Sequence, residues 1–140
     1  MIRSWARCRS THATHDLQET SGLGRLTTHV LDTLHGTPAA GLRVRLLRRA
    51  ADDRFDLVRE LALDADGRAG GPLLEGPALQ PGRYRLVFSV AEYFAGRGVA
   101  LPDPPFLEEV PVEFGLGDAQ AHYHVPLLVT PWTYTTYRGS

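Results

Sequence analysis

Two histidines separated by one residue, His122 and His124, lie in the stretch Ala121 to Thr130. There Tyr123, Val125, Leu127 and Val129 take the opposite parity. In an extended chain successive side chains point to opposite faces, so an apolar row faces a core and both imidazoles point away from it. Imidazole exchanges protons near neutral pH and also ligates metals. A histidine pair two apart on a strand therefore suits proton transfer, a metal clip or simple solvation, and spacing alone does not separate these.

His29 shares parity with Thr27 and Leu31 in a β-branched run, so its face is mixed. Arg68 follows Asp64-Ala65-Asp66-Gly67, a turn sequence, and would present a planar cation directly after the turn. The closing residues Tyr134 to Ser140 are polar and aromatic where a free tail would fray. His12 and His15 lie three apart without cysteine or carboxylate partners at ligand spacing, so no metal site is expected there.

Positioning such groups requires rigid elements, and the pattern predicts strands. Leu26 to Leu31 reads as a first strand, followed by punctuation at Gly36, Pro38 and Gly41. Leu42, Val44 and Leu46 alternate with Arg43 and Arg45, and a third strand spans Phe55 to Leu63. Tyr84, Leu86, Phe88 and Val90 alternate with arginines and Ser89 after a Pro81-Gly82 turn. Ala91 to Ala95 predicts one short helix ended by Gly96. Prolines at 102, 104 and 105 form a connector before strands at Glu109 to Phe114, Ala121 to Thr130 and Thr133 to Tyr137. Seven to eight short strands with turn signals predict an all-β antiparallel sandwich.

The 140 residues allow one core, with 43% hydrophobic and 22% charged residues. Residues 1–22 read as a flexible N-terminal extension and 23–140 as the folded domain. A net charge of -1 offers no surplus for nucleic acid or anionic lipid. No apolar run reaches the roughly 20 residues of a membrane span. The lone cysteine, Cys8, has no intramolecular partner, and no secretory signal pattern follows the early arginines; a cytoplasmic protein is expected.

Four segments together resemble the 5-hydroxyisourate hydrolases, the enzyme branch of the transthyretin-like family. They are Leu26-Thr27-Thr28-His29-Val30-Leu31-Asp32, Asp66-Gly67-Arg68, Ala121-His122-Tyr123-His124-Val125-Pro126-Leu127-Leu128 and Tyr137-Arg138-Gly139-Ser140. The stretches Pro72 to Gly76 and Pro105 to Leu107 are similar as well, so the likeness runs from about Leu26 to the last residue. It implies a homotetrameric transthyretin-like β-sandwich with its active sites in a channel between dimers. It further implies hydrolysis of a cyclic amide C–N bond in urate catabolism, converting 5-hydroxyisourate to 2-oxo-4-hydroxy-4-carboxy-5-ureidoimidazoline without metal or other cofactor. His29, Arg68, His124 and Ser140 then form the catalytic set, while His29, Arg68, Tyr137 and His122 contact the substrate. The alternative is a non-catalytic transthyretin-like carrier of a small molecule. Hormone-carrying transthyretins lack the histidine and tail motifs, so their presence here favours the enzyme.

Overall fold

The computed structural model describes residues 24–139. The expected extension, with Cys8, His12 and His15, and the terminal Ser140 lie outside the described residues. The strands are β1 (Arg25–Asp32), β2 (Thr37–Pro38), β3 (Arg43–Arg49), β4 (Phe55–Ala62), β5 (Leu74–Glu75), β6 (Gly82–Ser89), β7 (Glu109–Leu116), β8 (His122–Val129) and β9 (Tyr134–Thr136). One α-helix, α1 (Val90–Gly96), follows β6 directly. β2 and β5, two residues each, are additions to the expected strands.

Two sheets face one another. One runs β4-β3-β6-β7; the other runs β2-β1-β8-β9, with β5 also paired to β1. Between them lies the core, where Leu26 and Val30 meet Val44, Leu46, Leu86, Phe88 and Leu127, all fully buried. The period-two reading of β8 holds, since Tyr123, Val125, Leu127 and Val129 are all core residues. α1 buries Val90, Tyr93 and Phe94 and ends at the expected glycine.

The sandwich is antiparallel except at one place. β1 and β8 are parallel, in register from Arg25 beside His122 to Asp32 beside Val129. The connection after β7 causes this, because it crosses to the other sheet at the end where β1 begins. There Ala121 O accepts a hydrogen bond from Arg25 N, so β8 starts level with β1 and runs the same way. A parallel pair cannot be joined by a tight hairpin, and here most of the chain intervenes.

A buried carboxylate fixes α1 to the end of β1. Asp32 is inaccessible to solvent and accepts hydrogen bonds from the backbone N–H of Leu34 (3.0 Å) and His35 (2.9 Å). It also pairs with His35 Nδ1 at 2.6 Å and Tyr93 Oη at 2.8 Å. Burial pushes this carboxyl up, but the bonds from His35 and Tyr93 outweigh it and hold Asp32 below its ordinary value.

Candidate active site

β1 has β8 along one side and three short pieces in succession along the other. β5 pairs at Arg25 and Leu26, β2 at Leu31 and Asp32, and between them His29 forms an isolated antiparallel bridge with Arg68. The turn before Arg68 is therefore built into the sheet. Val30 N donates to Gly67 O at 2.9 Å. Gly67 has φ 74°, and a Cβ there would lie 2.5 Å from Val30 O, so only glycine permits this approach. Asp64 Oδ1 accepts from the N–H of Asp66 (2.9 Å) and of Arg68 (3.0 Å), closing the turn and directing Arg68 outward. These bonds hold the Asp64 carboxyl below its ordinary value.

On the other side of β1, the parallel register sets Thr27 beside His124 and His29 beside Pro126. Thr27 Oγ1 lies 2.8 Å from His124 Nδ1. Burial depresses the His124 pKa, and the neighbouring Arg68 and His29 depress it further. The shift favours the neutral imidazole, which lies close to a permanent cation and to a second imidazole. His29 and His124 are both half-buried on the face turned away from the core, whereas His122 is exposed.

The tail completes the arrangement from the far edge of the sheet. β9 pairs with β8 from Val129 opposite Tyr134 to Leu127 opposite Thr136. The same register continued would place Tyr137 opposite Pro126, whose nitrogen has no hydrogen to donate. The ladder is interrupted there and resumes two residues later in the same register, where Gly139 N donates to His124 O at 2.7 Å and the two residues form a bridge. Gly139 lies so close to the His124 ring that a Cβ would sit 2.7 Å from Cδ2. Ser140 follows immediately in sequence.

The structure therefore brings His29, Arg68 and His124 onto one face and ties the chain just before Ser140 to the same strand. Tyr137 sits apart from them. It is 58% exposed and lines a cavity at the sandwich edge with Val112, Phe114, Tyr123 and Arg138. Three supporting residues were not singled out by sequence: Thr27, Asp64 and Gly139. Asp64 stood in a recognised turn, but the neighbours of Thr27 and Gly139 are set only by the fold. Among the described residues no group of three His, Cys, Asp or Glu side chains is placed to hold a metal ion.

A face carrying three imidazoles and two guanidinium groups, with no acidic residue among the outward positions 25, 27, 29 and 31 of β1 or 122, 124, 126 and 128 of β8, suits an anionic ligand and proton transfer. The profile of the HIUase/Transthyretin family matches residues 26–139. The chain is 56% identical over 117 residues to 5-hydroxyisourate hydrolase 2 of Rhizobium meliloti (strain 1021), covering 84% of this chain and 97% of that one. It is similar to the solved 5-hydroxyisourate hydrolase of Klebsiella pneumoniae, with TM-score 0.66 and 33% identity over 83% of this chain and 99% of that one. Sea bream transthyretin in complex with thyroxine is also similar, with TM-score 0.74 and 28% identity over 82% and 94% of the two chains.

Proposed function

This chain belongs to the HIUase/Transthyretin family, and from that premise we infer that it is a 5-hydroxyisourate hydrolase, an enzyme of urate catabolism. The observation that carries the reading is the gathering of His29, Arg68 and His124 on one outward face, in a chain 56% identical to a relative named for that activity. Identity to sea bream transthyretin is lower, at 28%.

The chemistry follows from the residues. Water attacks a ring carbonyl carbon while a histidine takes its proton, and the carbonyl electron pair moves onto oxygen. The adduct collapses by breaking the ring C–N bond, and the departing nitrogen receives the proton held by the histidine. His29 and His124 supply the proton-handling groups. Arg68 binds the anionic substrate and stabilises the oxyanion as it develops. Likeness to the family assigns Ser140 to the catalytic set and His122 and Tyr137 to substrate contact, although Tyr137 stands apart from the other groups within one chain. No metal or cofactor enters the scheme, so turnover should persist after chelation.

The site face is one side of a sheet and needs cover to exclude water. A homotetramer in which two such faces meet across a channel supplies it, and the exposed Leu34 and Trp132 at the ends of β1 and β8 support that assembly. Light scattering should give four times the mass of one chain. Among the described residues no helix is long and apolar enough to cross a membrane, and the lone Cys8 supports a cytoplasmic location.

The test is to generate 5-hydroxyisourate in place with urate oxidase and follow its ultraviolet absorbance, since the compound also decays unaided. Accelerated decay that is absent with His124→Ala supports the hydrolase. Decay at the spontaneous rate, with tight binding of a small aromatic molecule, would instead establish a carrier.

A further inference from the structure

Thr27 and Thr28 are chemically identical neighbours that the strand turns to opposite faces. The Thr28 hydroxyl is buried toward the core and donates to Val125 O at 2.7 Å, a common way to satisfy a buried hydroxyl. Thr27 faces outward, and among the described residues its hydroxyl has one hydrogen-bond partner, His124 Nδ1 at 2.8 Å. The ring cannot turn freely away from this contact. Its backbone is tied to Gly139, and Gly139 itself packs against Cβ, Cγ and Cδ2 of the ring.

A neutral imidazole has one N–H and one lone pair, and a hydroxyl has one proton to give. Thr27 can either donate to Nδ1, which places the imidazole hydrogen on Nε2, or accept from an Nδ1–H. In the second case the hydroxyl proton has no acceptor among the described residues. In the first, the only proton of Thr27 meets the only acceptor it touches. We propose that Thr27 is a positioning residue that donates to His124 Nδ1, holds this imidazole as the Nε2–H tautomer, and so makes His124 a donor to the carbonyl oxygen under attack while His29 accepts the proton of water.

This inference rests on the hydrolytic reading of the site and divides its two histidine roles. A neutral imidazole held as an N–H donor is a known means of polarising a carbonyl. The charged and titratable groups around His124 agree with it. Arg68 and His29 oppose its protonation from β1 and the adjoining turn, and His122 shares its strand. An uncharged donor costs least beside Arg68.

The test joins kinetics to a direct reading of the tautomer. Thr27→Val removes the hydroxyl at nearly constant volume; kcat should fall about tenfold, as for loss of one hydrogen bond, with KM within about twofold. Thr27→Ser should restore most of the rate. Nitrogen NMR of histidine-labelled wild-type protein, with the His124 signals assigned by their loss in His124→Gln, should show Nδ1 bare and Nε2 protonated above the titration of the ring. Unchanged kcat in Thr27→Val, a Thr27→Ser variant no better than Val, or an Nδ1–H tautomer in the wild type would each overturn the proposal. An Nδ1–H tautomer with inactive His124→Ala overturns this inference alone. Full turnover by His124→Ala would overturn the hydrolytic site and this assignment together.

Discussion

On the outward face of the β4-β3-β6-β7 sheet, Arg45 meets Glu109 at 3.1 Å, Arg43 meets Glu60 at 3.2 Å, and Arg85 meets Glu113. On the outward face of the β2-β1-β8-β9 sheet, Thr27, His29, Leu31, His124 and Leu128 share the surface with Arg68; the outward positions of β1 and β8 carry no carboxylate, and Glu75 of β5 lies opposite Arg25 at the start of β1. Both faces come from strands with the same period-two grammar. The first gives these three cations an anion each and stays at ease in water. The second leaves His29, Arg68 and His124 without a direct ion pair among the described residues, an arrangement that a ligand or a neighbouring subunit could complete.

The largest effect should come from the uncompensated face. His124→Ala should lower kcat by about 10²–10⁴-fold, the usual contribution of a positioned proton-handling group, while thermal unfolding stays near that of the wild type. If turnover is retained, the contrast between the faces has no catalytic meaning.

Arg68→Lys keeps a positive charge but loses the planar fork, and should cut kcat/KM by roughly 10–100-fold. Wild-type kinetics would reduce Arg68 to a turn residue. Arg68→Met sharpens the point through pH. Arg68 disfavours protonation of His124, so its removal raises the His124 pKa. The neutral imidazole is then lost at higher pH on acidification. The acid limb of the kcat/KM profile should therefore move toward neutrality, and an unmoved limb would show that Arg68 does not act on His124.

Much of this contrast was legible in the sequence, for a definite reason. Alternation assigns faces, so the outward imidazoles of β8 and the arginines of β3 and β6 could be read from parity, and α1 ended where its glycine stood. Alternation carries no direction and no distance. It could not reveal that β1 and β8 run parallel, nor that Thr27 lies beside a histidine 97 positions away. It also fails at β4, an edge strand on which Leu57 and Val58 are both exposed and only its ends are partly buried. The tail was readable only as polar and aromatic. That Gly139 must lack a side chain is a property of the ring it touches, and that ring is remote in sequence.

A charge buried between the sheets offers an intermediate test. Asp32→Ala would leave Tyr93 Oη and the backbone N–H groups of Leu34 and His35 without their acceptor, and should cost about 3 kcal/mol in denaturant unfolding at pH 7. Because the folded-state pKa of Asp32 is depressed, its contribution is present above the unfolded carboxylate value and disappears as pH falls through the lower folded value. The gap between wild type and variant should therefore narrow in strong acid. A pH-independent gap would mean that packing, rather than the carboxylate's bonds, carries the effect.

The smallest effect belongs to the matched face. Glu113→Gln removes the partner of Arg85 while keeping shape and hydrogen-bonding capacity. Glu113 is 58% exposed, so its attraction to Arg85 is screened by water and offset by the entropy of holding both side chains in place. Arg85 also keeps its position over the Phe55 ring, 3.9 Å from the centroid. Unfolding free energy should change by at most about 1 kcal/mol, less in high salt, and turnover should be unaltered. A loss of activity here would contradict the division of labour between the two faces, because it would make the ion-paired sheet part of the reaction's electrostatic environment rather than a solvated wall behind it.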